Sequence, residues 1–180
     1  MEIKIKKQDF DLLTCADLSQ RCFEPLIKTY KKRVVEQTTL SSYQIKQQFY
    51  EQLTEGQRAL FMFYAYYNHV SKSLTEFYWW SAYFMAQPQS WAALKAGIRY
   101  FKDESMLSLL EKIERELKHY NHPETLEDFS ITREELDKNK RLQASIESLH
   151  IIFENTSPFT VKKINNHIEK NLQDFVEIKG

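Results

Sequence analysis

In DESMLSLLEKIERELKHY the apolar residues Met106, Leu110, Ile113, Leu117 and Tyr120 recur at 4-3-4-3 spacing. That spacing keeps them on one stripe of a helix. Leu142, Ile146, Leu149 and Phe153 form a second stripe of the same kind. Two segments depart from the pattern. In residues 60–67 and 77–86, at about 100° per residue, the apolar side chains point in every direction, as they do in a helix surrounded by protein. The pattern therefore predicts an all-α protein, a multi-helix bundle whose two central aromatic-rich helices, near 55–70 and 74–86, are wrapped by amphipathic helices. Within the aromatic stretch, Trp80 lies closest in direction to Phe77 and Phe84 and is expected among the most buried residues. Trp91, at the start of its helix, is expected to be more exposed.

Punctuation places the boundaries. Each of the four prolines, Pro25, Pro88, Pro123 and Pro158, stands where a helix could begin. Ser41/Gln44, Thr54/Gln57, Ser73/Glu76 and Thr132/Glu135 have the spacing of capping boxes. Together these signals predict helices near 8–22, 24–38, 42–53, 55–70, 74–86, 89–102, 104–120, 132–155 and 158–175. The least structured stretch is NHPETLEDFSIT, so the expected layout is a helical core at 1–120, a linker at 121–131 and a C-terminal helical pair at 132–180. A membrane helix needs about 20 consecutive apolar residues. The aromatic segments are shorter and are split by Asn68, His69, Ser71, Lys72, Ser73 and Glu76, so no bilayer span is expected.

Glu76 is the odd residue of the aromatic layer. As a functional group it would be a carboxylate desolvated by Phe77, Trp80 and Tyr83, which makes Glu76, Trp80 and Tyr83 the candidate ligand-binding set. As a structural group it completes a capping box with Ser73 at the first turn of its helix, and the box requires Glu at that position. Two Glu-x-x-His pairs, Glu116/His119 and Glu147/His150, have the i, i+3 spacing of di-iron carboxylate bundles. Measured from the apolar stripes, Glu116 lies roughly 80° and His119 roughly 140° away, and Glu147 roughly 130° and His150 roughly 70° away. Di-iron ligands must project inward, so no metal and no cofactor is expected. His119 and His122 have no cysteine nearby to complete a zinc site.

Composition adds limits. Lys plus Arg and Asp plus Glu each total 25, for a formal net charge of zero. This argues against a protein built on counterion release from nucleic acid, and no membrane attraction is expected. The basic groups at 28–33 and 138–141 are flanked by acidic residues, and Lys95, Arg99 and Lys102 form a cationic edge opposite Ala92, Ala93, Ala96 and Gly97. Three glycines and four prolines in 180 residues favour helices over sandwiches and phosphate loops. Cys15 and Cys22 stand two helical turns apart, too far to bridge, so two packed thiols are expected. Charge is interspersed through MEIKIKKQDFDLL, unlike a secretory signal, and a cytoplasmic location follows as the default.

LTEGQRALF, EFYWW, WAALKAGIRYF and SMLSLLEKI, within residues 53–113, resemble the mostly uncharacterised family of helical bacterial domains related to the DNA-mimic proteins. There a Leu-x-x-x-Gln-Arg helix start leads into an aromatic helix pair and a Leu-rich helix. The resemblance covers about a third of the chain and implies a helical fold. That family carries an Asn-Gly-Gly turn between its first two helices, where this chain has Val70-Ser71-Lys72-Ser73. The family's DNA mimic works through a strongly acidic surface, which zero net charge does not provide. The function expected is therefore non-enzymatic, through contacts with another protein in a regulatory or immunity-type role, with homo-oligomers possible. The alternative is a small-ligand or metal-dependent helical enzyme using Glu76 or the Glu-x-x-His pairs.

Overall fold

The computed structural model describes Met1 and residues 4–6, 17–37 and 39–179. Its helices are α1 (Leu18–Glu36), α2 (Ser42–Glu51), α3 (Glu55–Val70), α4 (Leu74–Met85), α5 (Pro88–Tyr100), α6 (Glu104–His119), a single turn α7 (Glu135–Lys138) and the long α8 (Lys140–Lys170). The protein is an all-α bundle with aromatic clusters among its buried helices. One element was not expected. After a 3-10 turn at Leu172–Asp174, β2 (Glu177–Lys179) pairs in parallel with β1 (Lys4–Lys6), Lys4 opposite Glu177.

The chain divides into two compact units, one of Met1–Phe61 with Val161–Gly180, the other of Met62–Thr160. These boundaries fall inside α3 and α8, whereas the sequence suggested divisions near 120 and 132. In the first unit Phe49 packs 5.2 Å from Phe61 and 5.3 Å from Tyr30. The Gln57 amide donates to the carbonyls of Phe175 (2.8 Å) and Met1 (2.9 Å). Cys22 is a free, buried thiol whose pKa burial pushes up to about 12, so it packs and does not attack. Cys15 and the expected helix start near residue 8 lie outside the described residues.

In the second unit α4, α5 and α6 pack on one another. The stripe of α6 is buried as expected from Met106 to Leu117, and so are Leu142, Ile146, Leu149 and Phe153 of α8. Helices α5 and α6 both end with a residue at positive φ, Lys102 (56°) and Asn121 (55°). Each closes a Schellman turn, with Asp103 N–H on the Ile98 carbonyl and His122 N–H on the Leu117 carbonyl.

The structure corrects several expectations. Pro25 lies inside α1 and Pro158 inside α8, so the helices expected at 132–155 and 158–175 are a single one from 140 to 170. The buried stripe of α8 runs on through Ser157, Thr160, Ile164 and Ile168, and this burial outweighs the N–H that proline removes. No helix starts at Pro123. Of Ala92, Ala93, Ala96 and Gly97 on α5, Ala92 and Ala96 are exposed and only Gly97 is buried. The order of the tryptophans is also reversed: Trp91 is 3 % exposed, while Trp79 and Trp80 are half-buried. Helix α4 is thus not enclosed all round. It buries Phe77, Tyr78, Ser81, Ala82, Phe84 and Met85 and leaves Trp79, Trp80 and Tyr83 on an open side.

Candidate functional site

The open side of α4 is built on a helix start. Ser73 Oγ accepts the Glu76 backbone N–H at 3.2 Å, one half of the expected capping box. The Glu76 carboxylate is taken elsewhere. Arg133, 57 residues downstream, donates to Oε1 from Nε at 2.5 Å and to Oε2 from Nη2 at 3.0 Å, while Trp80 Nε1 donates to Oε2 at 2.8 Å. A two-point fork of this kind holds both partners in one orientation. The Arg133 hydrogen bonds, aided by Trp80 and opposed by desolvation, keep the Glu76 carboxyl below its ordinary range. Arg133 and Trp80 thus hold Glu76 in its ionised form, with both carboxylate oxygens engaged.

Around this fork stand aromatic rings. The Arg133 guanidinium lies 4.3 Å from the Trp79 ring centre, a cation–π geometry. Trp79 stacks on Tyr83 at 5.1 Å and 10°, and Phe129 meets both rings edge-on at 5.7 and 5.4 Å. Trp79 Nε1 donates to the Ile131 carbonyl at 2.9 Å, so the non-helical 121–132 stretch is tied to α4. His69 stacks on Trp80 with centroids 3.6 Å apart. Its Nδ1 is buried without a hydrogen-bond partner among the described residues, and burial, with Lys72, lowers its pKa. The structure thus brings together Glu76, Trp80 and Tyr83 and adds His69, Trp79, Phe129 and Arg133. Nothing local in the sequence pointed to Arg133 or Phe129.

Beneath this face, His122 Nδ1 lies 3.1 Å from the Leu117 carbonyl and its Nε2 2.8 Å from the Tyr78 hydroxyl. A carbonyl can only accept, so Nδ1 carries the proton, and in the neutral ring Nε2 accepts from Tyr78. Burial lowers the His122 pKa, against the Leu117 hydrogen bond and the Glu135 charge, which raise it. The folded state thus keeps the ring neutral below the unfolded value of about 6.5. The stability it contributes is complete above that pH and is lost as pH falls through the folded pKa. The unfolding midpoint of the wild type should drop between about pH 7 and about pH 5, and His122→Gln should drop less, His69 supplying the remainder. An equal drop in both proteins would contradict this assignment.

A second, half-buried network holds Glu114, which accepts from Trp91 Nε1 at 2.9 Å and Lys95 Nζ at 2.6 Å and pairs with Lys118 at 3.3 Å. Burial would raise its pKa, but the Lys95 and Trp91 hydrogen bonds prevail and hold it low. Arg99 pairs with Glu111 at 3.7 Å, so carboxylates of α6 answer two cations of the α5 edge. The Glu-x-x-His residues do not converge. His119 and Glu147 are exposed; Glu116 is half-buried and receives the Ser145 hydroxyl; His150 packs on Phe77 at 5.0 Å and lies 3.9 Å from Glu154. Among the described residues no group of three or more His, Cys, Asp and Glu is placed to hold a metal, and no helix is long and apolar enough to cross a membrane.

No protein family, curated protein or solved structure matches the chain. The likeness of residues 53–113 to DNA-mimic-related domains rests on its motifs alone.

Proposed function

We propose that this is a non-enzymatic bacterial protein of the cytoplasm that acts by binding another protein, in a regulatory or immunity-type role. The observation that carries the reading is the half-buried aromatic face of α4, Trp79, Trp80 and Tyr83 with Phe129, set round the Arg133 fork. Trp, Tyr and Arg are the residues most enriched where protein interfaces concentrate their binding energy. Here Trp79, Trp80 and Tyr83 stand on a helix already fixed by packing and Arg133 is held by its two bonds to Glu76, so little conformational freedom is lost on binding. Glu76, with both oxygens engaged, serves this face as its anchor.

Immobilised protein should recover a partner from cells of the native host. Tyr83→Ala and Trp80→Ala, each shown by circular dichroism to stay folded, should each weaken recovery by about tenfold or more. Undiminished recovery by both variants would remove the α4 face from the interaction.

A further inference from the structure

A different surface of the second unit has its own chemistry. Arg141, Ser145, Ser148, Ile152, Asn155 and Phe159 follow one another along α8 at 4-3-4-3-4 spacing, a second stripe beside the buried one. Its C-terminal half exposes two large apolar side chains on either side of Asn155: Ile152 is 39 % and Phe159 69 % accessible, where a solvated helix face normally carries polar residues. Its N-terminal half lines a cleft of about 280 Å³ against α6, walled by Lys112, Arg115, Glu116, Ser145, Ser148 and Leu149. Glu116 is engaged by the Ser145 hydroxyl within the cleft. The cations are not engaged. Lys112, Arg115 and Arg141 are exposed, and among the described residues none of them makes an ion pair, although Lys95, Arg99, Lys118 and Arg133 of the same unit all do.

We propose that the α6–α8 cleft and the stripe running from it to Phe159 dock an acidic amphipathic helix of another protein. Its apolar side chains would cover Ile152 and Phe159, and its carboxylates would meet Lys112, Arg115 and Arg141. Helix-in-groove recognition takes this form, with apolar anchors at i, i+3, i+4 and i+7 and flanking charge that sets the choice of partner. Charge decides against a second copy of this chain. The stripe carries Arg141 and no carboxylate, and Glu116, the carboxylate of the cleft, is already engaged by the Ser145 hydroxyl, so two copies pairing through this surface would cover the apolar residues but bring no uncommitted acid to the three cations.

The probe is a fluorescent amphipathic peptide with leucines at i, i+3, i+4 and i+7 and glutamates on its flanks, compared with the same peptide carrying lysines. Anisotropy should rise saturably with the glutamate peptide, at least about tenfold more tightly than with the lysine peptide, and the binding should weaken with salt. Ile152→Ser with Phe159→Ser, and separately Lys112→Glu with Arg115→Glu, should each cost about tenfold or more in affinity, and all these positions are exposed, so the fold should survive. Trp80→Ala should leave peptide affinity unchanged, which separates this surface from the α4 face. Equal affinity for the two peptides, no saturable binding of the glutamate peptide, or a dimer in sedimentation that Ile152→Ser with Phe159→Ser dissolves would each overturn the proposal.

Discussion

Replacing Trp91 by alanine should lower the unfolding free energy by about 3–5 kcal/mol, the range for truncating a buried large aromatic. Trp91 is 3 % exposed and meets Tyr66 edge-on at 6.1 Å. The substitution also takes one of the donors from the half-buried Glu114 carboxylate and leaves Lys95 and Lys118 to hold it. Trp80→Ala should cost less, about 1–2 kcal/mol, because that ring is only partly buried and its loss opens a surface notch and no sealed cavity. Denaturant melts of the two variants should therefore fall in the order wild type, Trp80→Ala, Trp91→Ala. The opposite order would mean that the open side of α4 has been assigned to the wrong tryptophan.

Phe77→Ala should cost as much, about 3–5 kcal/mol. The ring is fully buried, 5.4 Å from Phe153 and 5.0 Å from His150, so its removal leaves a hole in the layer between α4 and α8 that those rings cannot close. Against a total stability of about 5–15 kcal/mol, such a loss can prevent soluble expression. Phe77→Leu, which keeps most of the volume, should cost less than about 1.5 kcal/mol and stay folded. A Leu variant as unstable as the Ala variant would show that ring geometry, and not filled volume, holds this layer together.

The candidate site was only partly legible in the sequence. Glu76, Trp80 and Tyr83 stand out because a carboxylate among aromatics is conspicuous, and helical spacing of three to four residues sets them side by side. What Glu76 does there was not legible. The capping box and the desolvated acid were both local readings, and the decisive partner, Arg133, lies 57 residues away and reaches α4 only through the path of the 121–132 stretch. The tryptophan order failed for a related reason. In a helix apolar all round, such as α4, no helical-wheel direction marks which side the rest of the chain will cover, so the partial exposure of Trp80 was not legible. Trp91, in the first turn of α5, is covered by Tyr66 and by Glu114 of α6, both distant in the chain.

By itself the sequence determined the local elements. Apolar spacing set the buried stripes of α6 and the first half of α8, and hydroxyl–Gln pairs set the starts of α2 and α3, where both reciprocal bonds form. Such features depend on residues within one or two turns of each other, so the chain states them directly. Only the tertiary structure decided the continuity of α1 and α8 through Pro25 and Pro158, the two units that cut across α3 and α8, the parallel pairing of β1 with β2, and the Glu76–Arg133 fork. Each rests on burial or on partners far apart in the chain. A proline costs a helix one hydrogen bond locally, and whether the helix continues depends on the apolar area its flanks bury, a quantity that exists only once the rest of the chain is in place.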